Sequence, residues 1–212
     1  MIIIGAKGFA KEILELVASE LKIEEIVFFD NVTNPCPDMV FDKYPILKSE
    51  NEVKNHIKNS TDKSVVLGVG KPSVRNILFD LFSSFDADFK TIIAKETSIG
   101  SFDINIGEGT SIMQGVRITN SITIGKGCLI NLNCTIGHDT TLGDFVELSP
   151  NVNISGRCKI GDLTSIGTNA IIIPDITIGR NCVIGAGTLV LKDVPDNSTV
   201  VGVPGKIIKT NE

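Results

Sequence analysis

The sequence of 212 residues has no tryptophan, one tyrosine and only two histidines. Ten phenylalanines and the one tyrosine are its only large aromatic side chains, so small and branched aliphatic residues must fill most of its core. A hydrophobic content of 42% is typical of a folded protein with one large domain or two modest ones. We therefore expect a substantial core built mainly from Ile, Val and Leu.

The chain also lacks an excess of positive charge, long apolar runs and paired cysteines. A formal net charge of −5 argues against general nucleic-acid binding, which depends on clustered Lys and Arg. The apolar start, Met-Ile-Ile-Ile, is too short for a signal peptide, and no run approaches the ~20 apolar residues of a membrane span. The five cysteines form no Cys-x-x-Cys pair and no zinc-ligand spacing. We expect a cytoplasmic protein that binds neither nucleic acid nor membrane.

What is present is a strict six-residue repeat. Glycine often follows the repeated aliphatic residue, and the residue four places after it is always small or aliphatic. A helical period of 3.6 cannot keep one face apolar on such a repeat, so the pattern predicts a solenoid of short strands with Gly or Asn at its corners. The fifteen repeated positions are Ile106, Ile112, Ile118, Ile124, Ile130, Ile136, Leu142, Leu148, Ile154, Ile160, Ile166, Ile172, Ile178, Ile184 and Val190.

Three flat sides would close one coil of eighteen residues, so residues 106–195 predict five coils. Strands stacked ~4.8 Å apart make this a prism about 25 Å long. Both apolar positions of each hexad point inward, and we expect the cysteines that occupy them to be buried structural thiols. No long insertion interrupts the prism, so a substrate must lie in a groove between prisms or be held by another domain. The four interior cysteines are Cys128, Cys134, Cys158 and Cys182.

The first 90 residues have a different composition. Sixteen of the twenty glycines follow residue 99, whereas all but one of the aromatic residues precede residue 103. We therefore divide the chain into domains at 1–90 and 91–212. Residues 2–4, 26–30 and 64–70 read as strands, and helices follow the first and the third. This alternation predicts a small α/β domain with a parallel sheet. The apolar side of its first helix would carry Ile13, Leu14, Leu16, Val17 and Leu21.

A glycine turn after the first strand, from Gly5 to Gly8, is a candidate phosphate site. Backbone N–H groups at a helix N-terminus bind phosphate well, but the turn lacks the middle glycine of the dinucleotide motif, and a plain tight corner is the alternative. Gly70 lies in a second glycine turn that should share the same sheet edge. Asp30, followed by Asn31, ends the second strand and either accepts from a ribose or base or only begins a loop.

His138 and Asp139 occupy the third and fourth positions of the hexad that starts at Ile136, which places them outside the prism at a corner. An exposed turn residue is the plain alternative. A free imidazole, with an ordinary pKa near ~6.5, accepts a proton from an amine or hydroxyl, and an adjacent carboxylate holds it in the right tautomer. Gly156 follows one coil later, about 4.8 Å above, where its N–H could meet an oxyanion. The pattern predicts acyl transfer from a thioester.

The hexads resemble those of the bacterial hexapeptide-repeat acyltransferases, and the segment from Asp193 to Lys206 is similar to the capping segment of that superfamily. With the α/β module and the segment Ile136–Phe145, the resemblance covers essentially the full chain. It points to the family of the sialic acid O-acetyltransferases and the nucleotide-linked 4-amino-sugar N-acetyltransferases of bacillosamine and perosamine biosynthesis. It implies a left-handed parallel β-helix, a homotrimer with active sites between subunits, acetyl-CoA as co-substrate and a nucleotide-linked sugar on the N-terminal domain.

The resemblance also assigns residues in the prism. The catalytic His-Glu pair of the N-acetyltransferases maps onto His138 and Asp139, so this chain has the shorter acid. The backbone oxyanion donor maps onto Gly156, and a polar residue near the acceptor amine maps onto Asn131. Contacts to coenzyme A map onto Gly156 and two residues of later coils, Thr168 and Ala186.

Three positions depart from the family. Lys7 and Phe9 stand in the N-terminal turn where the bacillosamine enzymes have Ser and His, so we expect a different acceptor sugar or a different nucleotide. Glu147 stands where many members have a second His nine residues after the first. Four cations near the last coils either meet the 3′-phosphate of coenzyme A or are ordinary surface charges, and they are Lys159, Arg180, Lys192 and Lys206. His56 reads as a surface residue.

The leading hypothesis is an acetyl-CoA-dependent N-acetyltransferase acting on a nucleotide-linked 4-amino-4,6-dideoxy sugar, with His138 as the general base. An alternative is O-acetylation of a sugar of the sialic acid type, because an alcohol and an amine need similar base geometry. A remote alternative is a non-catalytic or metal-binding prism similar to the γ-carbonic anhydrases. Those proteins bind zinc through several histidines, whereas this prism has one, so we expect no metal site.

Overall fold

The computed structural model describes residues 1–20 and 25–210. Leu21, expected on the apolar side of the first helix, lies outside these residues. The described part begins with an α/β domain whose elements are β1 (Ile2–Ile4), α1 (Gly8–Glu20), β2 (Val27–Phe29), β3 (Met39–Val40), β4 (Tyr44–Leu47), α2 (Glu50–Asn59), β5 (Ser64–Leu67), α3 (Pro72–Ser83) and β6 (Asp88–Phe89).

The sheet of this domain has the strand order β3-β4-β2-β1-β5-β6. The three strands expected from the sequence lie at its centre and run parallel, but β3 pairs with β4 in the antiparallel sense. The parallel sheet expected for the three predicted strands is confirmed, whereas the antiparallel edge strand β3 was not predicted. Helix α2 was also missed, since its sequence is strongly polar. Ser49 caps its N-terminus, where the Ser49 side chain accepts a hydrogen bond from the Glu52 N–H, and the helix buries only Val53 and Ile57.

The second part is a left-handed parallel β-helix, as the sequence predicted. Face 1 holds β7 (Ile92–Ile93), β10 (Ser111–Ile112), β13 (Leu129–Ile130), β16 (Glu147–Leu148), β19 (Ser165–Ile166), β22 (Val183–Ile184), β24 (Ser198–Val201) and β25 (Lys206–Thr210). Face 2 holds β8 (Ser98–Ile99), β11 (Arg117–Ile118), β14 (Thr135–Ile136), β17 (Asn153–Ile154), β20 (Ile171–Ile172) and β23 (Leu189–Val190). Face 3 holds β9 (Ile104–Ile106), β12 (Ile122–Ile124), β15 (Thr141–Leu142), β18 (Lys159–Ile160) and β21 (Thr177–Ile178).

The register of the faces confirms the eighteen-residue coil, because Ile112 pairs with Ile130 on face 1 and Ile118 pairs with Ile136 on face 2. The prism starts at β7, however, earlier than the repeat that was first visible at Ile106. Seven residues rather than six separate Ile99 from Ile106, and this extra residue hides the first coil from a search for a six-residue period. The antiparallel pair of β24 and β25 closes the other end.

The core of the prism consists of the inward residues of the hexads. The four cysteines expected there are buried, which confirms that prediction. Burial raises the pKa of Cys128 and of Cys134 to about 12, so these thiols stay protonated and unreactive at neutral pH.

Three corners join the faces, and each turns through a residue with positive φ. The corner between faces 2 and 3, called corner 2–3, uses Asp103, Ser121, Asp139, Arg157 and Asp175 in successive coils. Corner 1–2 uses Gly115, Asn133, Asn151, Asn169 and Gly187. Asn, Asp and Gly adopt the left-handed region more easily than other residues, which explains their recurrence at these places.

The α/β domain packs against face 1 and against the corner between faces 3 and 1. Met113 and Leu129 of the prism share a core with helix α1, and the ring of Phe145 lies 5.5 Å from that of Phe79 in α3. Corner 2–3 is the vertex opposite face 1, so it lies away from this domain contact. Within residues 1–20 and 25–210, no helix is both long and apolar enough to cross a bilayer.

Candidate active site

His138 lies at corner 2–3 between β14 and β15, outside the prism as expected. Its Nδ1 atom is 2.6 Å from Oδ2 of Asp139, and both side chains are about half exposed, at 50% and 55%. An ionised carboxylate only accepts hydrogen bonds, so Nδ1 is the donor of this contact. Nε2 faces away from Asp139, toward Gly156, and is the ring nitrogen left to act as a base.

Asp139 has a φ of 60° because it is the residue that turns the corner. Its N–H donates to the Asn120 carbonyl of the coil below, at 3.2 Å. Aspartate is among the residues that tolerate this conformation best, and from it the short side chain reaches back to the neighbouring ring. The shorter acid, which departs from the Glu of the resembling enzymes, thus still makes a close contact with His138.

Gly156 lies directly above His138 in the next coil. The Arg157 N–H donates to the His138 carbonyl at 2.7 Å, and a Cβ atom on Gly156 would lie 2.6 Å from Nε2 of His138. The ring therefore occupies space that only glycine leaves open. Gly156 is buried, and within residues 1–20 and 25–210 its N–H has no hydrogen-bond acceptor, so it is an unused donor one coil above His138.

Corner 2–3 also carries an ion pair that the sequence reading missed. Arg157 donates to Asp175 through Nε at 2.6 Å and through Nη2 at 2.8 Å. The hydrogen bond from Arg157 lowers the pKa of the Asp175 carboxyl, and the charge of His138 acts in the same direction. Both residues stand one and two coils from Asp139, a spacing that could have revealed them.

The N-terminal domain contains a cleft of about 340 Å³ at the carboxyl ends of β1, β2 and β5. Its volume falls at the lower end of small-molecule sites. Of the seven predicted substrate residues, six line it: Gly5, Lys7, Phe9, Asp30, Asn31 and Gly70. Gly8 is not among the lining residues and instead begins α1. The sequence reading missed other lining residues, among them Lys71, Val74 and Leu78.

The Asp30 side chain stabilises the loop that follows β2. Its Oδ1 accepts from the Val32 and Thr33 N–H groups at 3.0 and 2.9 Å, and its Oδ2 accepts from the Thr33 hydroxyl at 2.6 Å. Burial alone would raise the pKa of Asp30, but these hydrogen bonds and the charge of Lys7 together lower it. The geometry thus matches the alternative in which this acid begins a loop, and it places Lys7 close to a fixed negative charge.

Arg75 of α3 joins the cleft to the prism. It is 1% exposed and donates to the carbonyls of Gly127, Phe145 and Val146 at 2.8 to 3.0 Å, and also to the Gly70 carbonyl. Burial lowers the pKa of Arg75 to about 10, although the charge of Glu147 opposes this shift.

Glu147 lies at the same junction, on the outer side of face 1. Burial raises its pKa, although the charge of Arg75 and a hydrogen bond from Ser149 act against this. A Cβ atom on Gly70 would lie 3.9 Å from Oε1 of Glu147, so this carboxylate borders the cleft. The residue that departs from the second His of the resembling enzymes therefore faces the N-terminal domain of its own chain.

The remaining predicted residues lie elsewhere. Asn131, Thr168 and Ala186 all belong to corner 1–2, between strands of faces 1 and 2. Within one chain, face 2 separates them from His138 and Gly156. The Asn131 side chain accepts from the Leu132 N–H at 2.8 Å. The structure thus unites His138, Asp139 and Gly156, but not these three residues or the N-terminal cleft.

A second cavity of about 490 Å³ lies under the C-terminal cap, and both Lys192 and Lys206 line it. Lys159 and Arg180 do not. His56 is half-buried on α2, as part of a polar surface region rather than of the cleft. In the described part of the chain, no group of three or more His, Cys, Asp or Glu side chains is arranged to hold a metal ion.

Comparison with known families finds two matching regions in the chain. Residues 1–82 match the PglD N-terminal domain, and residues 157–192 match the bacterial transferase hexapeptide family of six repeats. Fold and repeats together define a hexapeptide-repeat protein with a PglD-type N-terminal domain. The predicted resemblance to the hexapeptide-repeat sugar acyltransferases is thereby confirmed.

Several solved structures are similar to nearly the whole chain. A perosamine N-acetyltransferase from Caulobacter crescentus, a variant with one histidine replaced by asparagine and bound to CoA and GDP-perosamine, is 26% identical with a TM-score of 0.89, over 98% of this chain and 96% of that one. WeeI from Acinetobacter baumannii AYE is 29% identical with a TM-score of 0.89, over 98% of both chains.

The acetyltransferase domain of PglB from Neisseria gonorrhoeae FA1090, in complex with acetyl coenzyme A, is 25% identical with a TM-score of 0.80, again over 98% of both chains. A curated relative, a serine acetyltransferase from Bacillus pumilus, matches at 65% identity but only over 26 residues, which is 12% of each chain. The chain therefore spans a small fraction of that curated relative.

Proposed function

We propose that this protein transfers an acetyl group from acetyl-CoA to the amine of a nucleotide-linked 4-amino-4,6-dideoxy sugar. The observation that carries this proposal is the dyad of His138 and Asp139 beneath Gly156, whose N–H has no acceptor in the described part of the chain. The solved structures that match over nearly the whole chain include N-acetyltransferases bound to CoA and GDP-perosamine, which favours nitrogen over oxygen as the acceptor.

The chemistry follows from the free nitrogen of His138. As the amine attacks the thioester carbonyl carbon, Nε2 takes its proton, and the new C–N bond forms while the carbonyl oxygen becomes an anion. The Gly156 N–H donates to that oxyanion. The C–S bond then breaks, and the thiolate of CoA receives the proton from the imidazolium. Asp139 stabilises the imidazolium that forms. A general base of this kind typically raises the reaction rate ~10²–10⁴-fold.

The N-terminal cleft would hold the nucleotide. Its floor contains the Gly5 turn and the N-terminus of the 13-residue helix α1, where backbone N–H groups favour phosphate. Lys7 adds a positive charge at this point. Asn31 and Phe9 remain candidates for contacts with the base or the sugar, and Asp30 acts by shaping the loop that carries Asn31.

Coenzyme A would lie along corner 1–2, in contact with Thr168 and Ala186, with Asn131 near the acceptor amine. Lys192 and Lys206, which share the cavity under the cap, are the better placed of the four cations to meet its 3′-phosphate. The predicted cytoplasmic location belongs to the same proposal.

The active site would be completed by a second copy in a homotrimer. In one chain the cleft lies against face 1, whereas His138 lies at the opposite vertex, and the residues assigned to CoA lie at a third place. A groove between two prisms can bring corner 2–3 of one copy to corner 1–2 and the cleft of another. A homotrimer supplies three equivalent grooves of this kind.

A panel of acceptors tests the activity. The protein is incubated with acetyl-CoA and GDP-, UDP- or dTDP-linked 4-amino-4,6-dideoxy sugars, and with free sialic acid. Thiol release is measured and the products are identified by mass spectrometry. We expect an N-acetylated nucleotide sugar as the preferred product. Preferred acetylation of sialic acid would support the O-acetyltransferase alternative, and no thiol release with any acceptor would contradict the proposal.

Subunit mixing tests the shared site. His138→Ala lacks the base, and Lys7→Glu disturbs the cleft, so each homotrimer should be nearly inactive. If base and cleft come from different copies, random mixing of equal amounts should restore about a quarter of the activity, because one groove in four then has both parts intact. No recovery after verified subunit exchange would place both parts in one chain.

A further inference from the structure

Three charged residues stack above one another at corner 2–3. Asp139, Arg157 and Asp175 are eighteen residues apart, and all three turn the corner with φ near +60°. Backbone hydrogen bonds fix this alignment, since Arg157 N–H bonds to the His138 carbonyl and Asp175 N–H to the Gly156 carbonyl, at 2.7 and 3.1 Å. The guanidinium of Arg157 therefore has an acid one coil below it and another one coil above it.

Arg157 makes its contacts upward. Two parallel hydrogen bonds, of 2.6 and 2.8 Å, join it to both carboxylate oxygens of Asp175. Asp139 remains with His138, at 2.6 Å. Exposed ion pairs usually stabilise a fold little, but a two-pronged Arg–carboxylate contact fixes the direction of both side chains. The important point here is that Arg157 pairs with Asp175 and not with Asp139.

We propose that Asp175 is a positioning residue for the reaction, because it retains Arg157 and thereby leaves Asp139 to orient His138. This inference rests on the proposed function for its catalytic meaning. Without Asp175, Arg157 would find Asp139 as its nearest acid. A carboxylate engaged by a guanidinium holds an imidazolium less strongly, so the base would lose both orientation and basicity.

Other charges around this corner do not supply the same restraint. On the flanking strands, Arg117 of β11 donates to the Glu96 carbonyl, and Lys159 lies on β18 of face 3. Asp193 follows Asp175 by one further coil and accepts from the Thr177 N–H at 2.8 Å. The hydrogen bond to Asp175 is the main cause of the raised pKa of Arg157, and the charge of Asp139 contributes less.

The chain contains a matched control for charge. Asp103 and Asp175 both lie 36 residues from Asp139 in the same column, one below and one above, which places each about 9.5 Å away. Both have positive φ, which asparagine tolerates. In the described part of the chain the Asp103 side chain has no hydrogen bond or ion pair. Asp103→Asn therefore removes the same charge as Asp175→Asn without releasing Arg157.

The imidazole can be followed directly, because the chain has only two histidines. In two-dimensional NMR titrations, His56 is an internal reference. We expect the titration midpoint of His138 to fall measurably in Asp175→Asn, and much less in Asp103→Asn. The double variant Arg157→Asn/Asp175→Asn should return close to the unaltered chain. Equal shifts in the two single variants, or no return in the double variant, would overturn the proposal.

Kinetics provide the second readout. In Asp175→Asn, kcat should fall about 3- to 10-fold, and the acid limb of its pH profile should move with the NMR midpoint. If no acceptor is acetylated by the unaltered protein, the proposed function fails while the NMR comparison still decides the role of Asp175. If Asp175→Asn does not fold, as judged by its thermal transition, Asp175→Ser is used in its place in both the NMR and the kinetic experiments.

Discussion

A methyl group on Gly156 would lie 2.6 Å from Nε2 of His138, so the absence of a side chain in one coil makes room for the ring of the coil below. The N–H of Gly156, a buried residue, has no hydrogen-bond acceptor in the described part of the chain. The base, His138, and the donor, Gly156, are therefore eighteen residues apart in the sequence but neighbours in adjacent coils of the prism.

Gly156→Ala should displace the His138 ring and reduce kcat by about 10²-fold or more, because both the base and the approach to the N–H are disturbed. Thermal unfolding separates this from a general defect. We expect Gly156→Ala to lower the Tm in the unaltered background but not in a His138→Ala background, where the methyl group meets no ring. Equal losses in both backgrounds would mean that the clash is with the backbone.

His138→Ala should lower kcat by about 10²–10⁴-fold, since the amine then loses its proton acceptor. The fold should persist, because the side chain is half exposed and lies outside the prism core. The control is His56→Ala, which removes the other histidine from α2. Activity close to that of the unaltered protein in His138→Ala would remove the base assignment.

Asp139→Asn should keep the corner, because asparagine adopts φ near 60° as readily as aspartate. It removes the negative charge that faces Nδ1 of His138, so we expect kcat to fall about 10-fold or more, with a smaller change in KM. Steady-state kinetics over a range of pH measure this. An unchanged pH profile would show that the 2.6 Å contact has no part in the reaction.

Arg75→Leu should destabilise the protein by about 3 kcal/mol, because the carbonyls of Gly127, Phe145 and Val146 lose their buried donor and Glu147 loses its nearby positive charge. Urea unfolding measures the loss. Arg117→Leu, which removes an exposed guanidinium on β11, is the control and should change stability by less than about 0.5 kcal/mol. Equal effects would contradict the role of Arg75 in joining the two domains.

Asp30→Asn should destabilise the protein at pH 7 but not at strongly acidic pH. The folded-state pKa of Asp30 lies below its ordinary value of 3.8, so its charge contributes stability above that value and the contribution is lost as pH falls through the depressed pKa. We expect a difference of about 1 kcal/mol at pH 7 that disappears at pH values below the depressed pKa. Urea titrations at several pH values measure it. A difference that does not depend on pH would indicate lost geometry rather than lost charge.

Much of the prism could be predicted because its signal is local and repeated. Each hexad states which residues point inward, and His138 and Asp139 are neighbours in the chain, so their corner needed no knowledge of other elements. The first coil was not predicted because one extra residue before Ile106 breaks the six-residue period. Helix α2 was not predicted because only Val53 and Ile57 mark its buried side.

The contacts that join distant parts were not predictable in the same way. Arg75 looks like any charged helix residue, and only the docking of α3 against the prism turns it into a buried donor to three carbonyls. Glu147 was known as a departure from a family pattern, but its position beside Gly70 depends on how the two domains meet.

By itself the sequence determined a triangular solenoid with an aliphatic interior, its eighteen-residue coil and an outward histidine paired with the next residue, because these follow from a short repeat that each hexad restates. Only the tertiary structure decided that Arg157 turns to Asp175 rather than to Asp139, that the cleft and His138 lie on opposite sides of one chain, and that Arg75 is buried. Those outcomes depend on which of several competing contacts is made after the coils and domains have packed, and no local pattern encodes that choice.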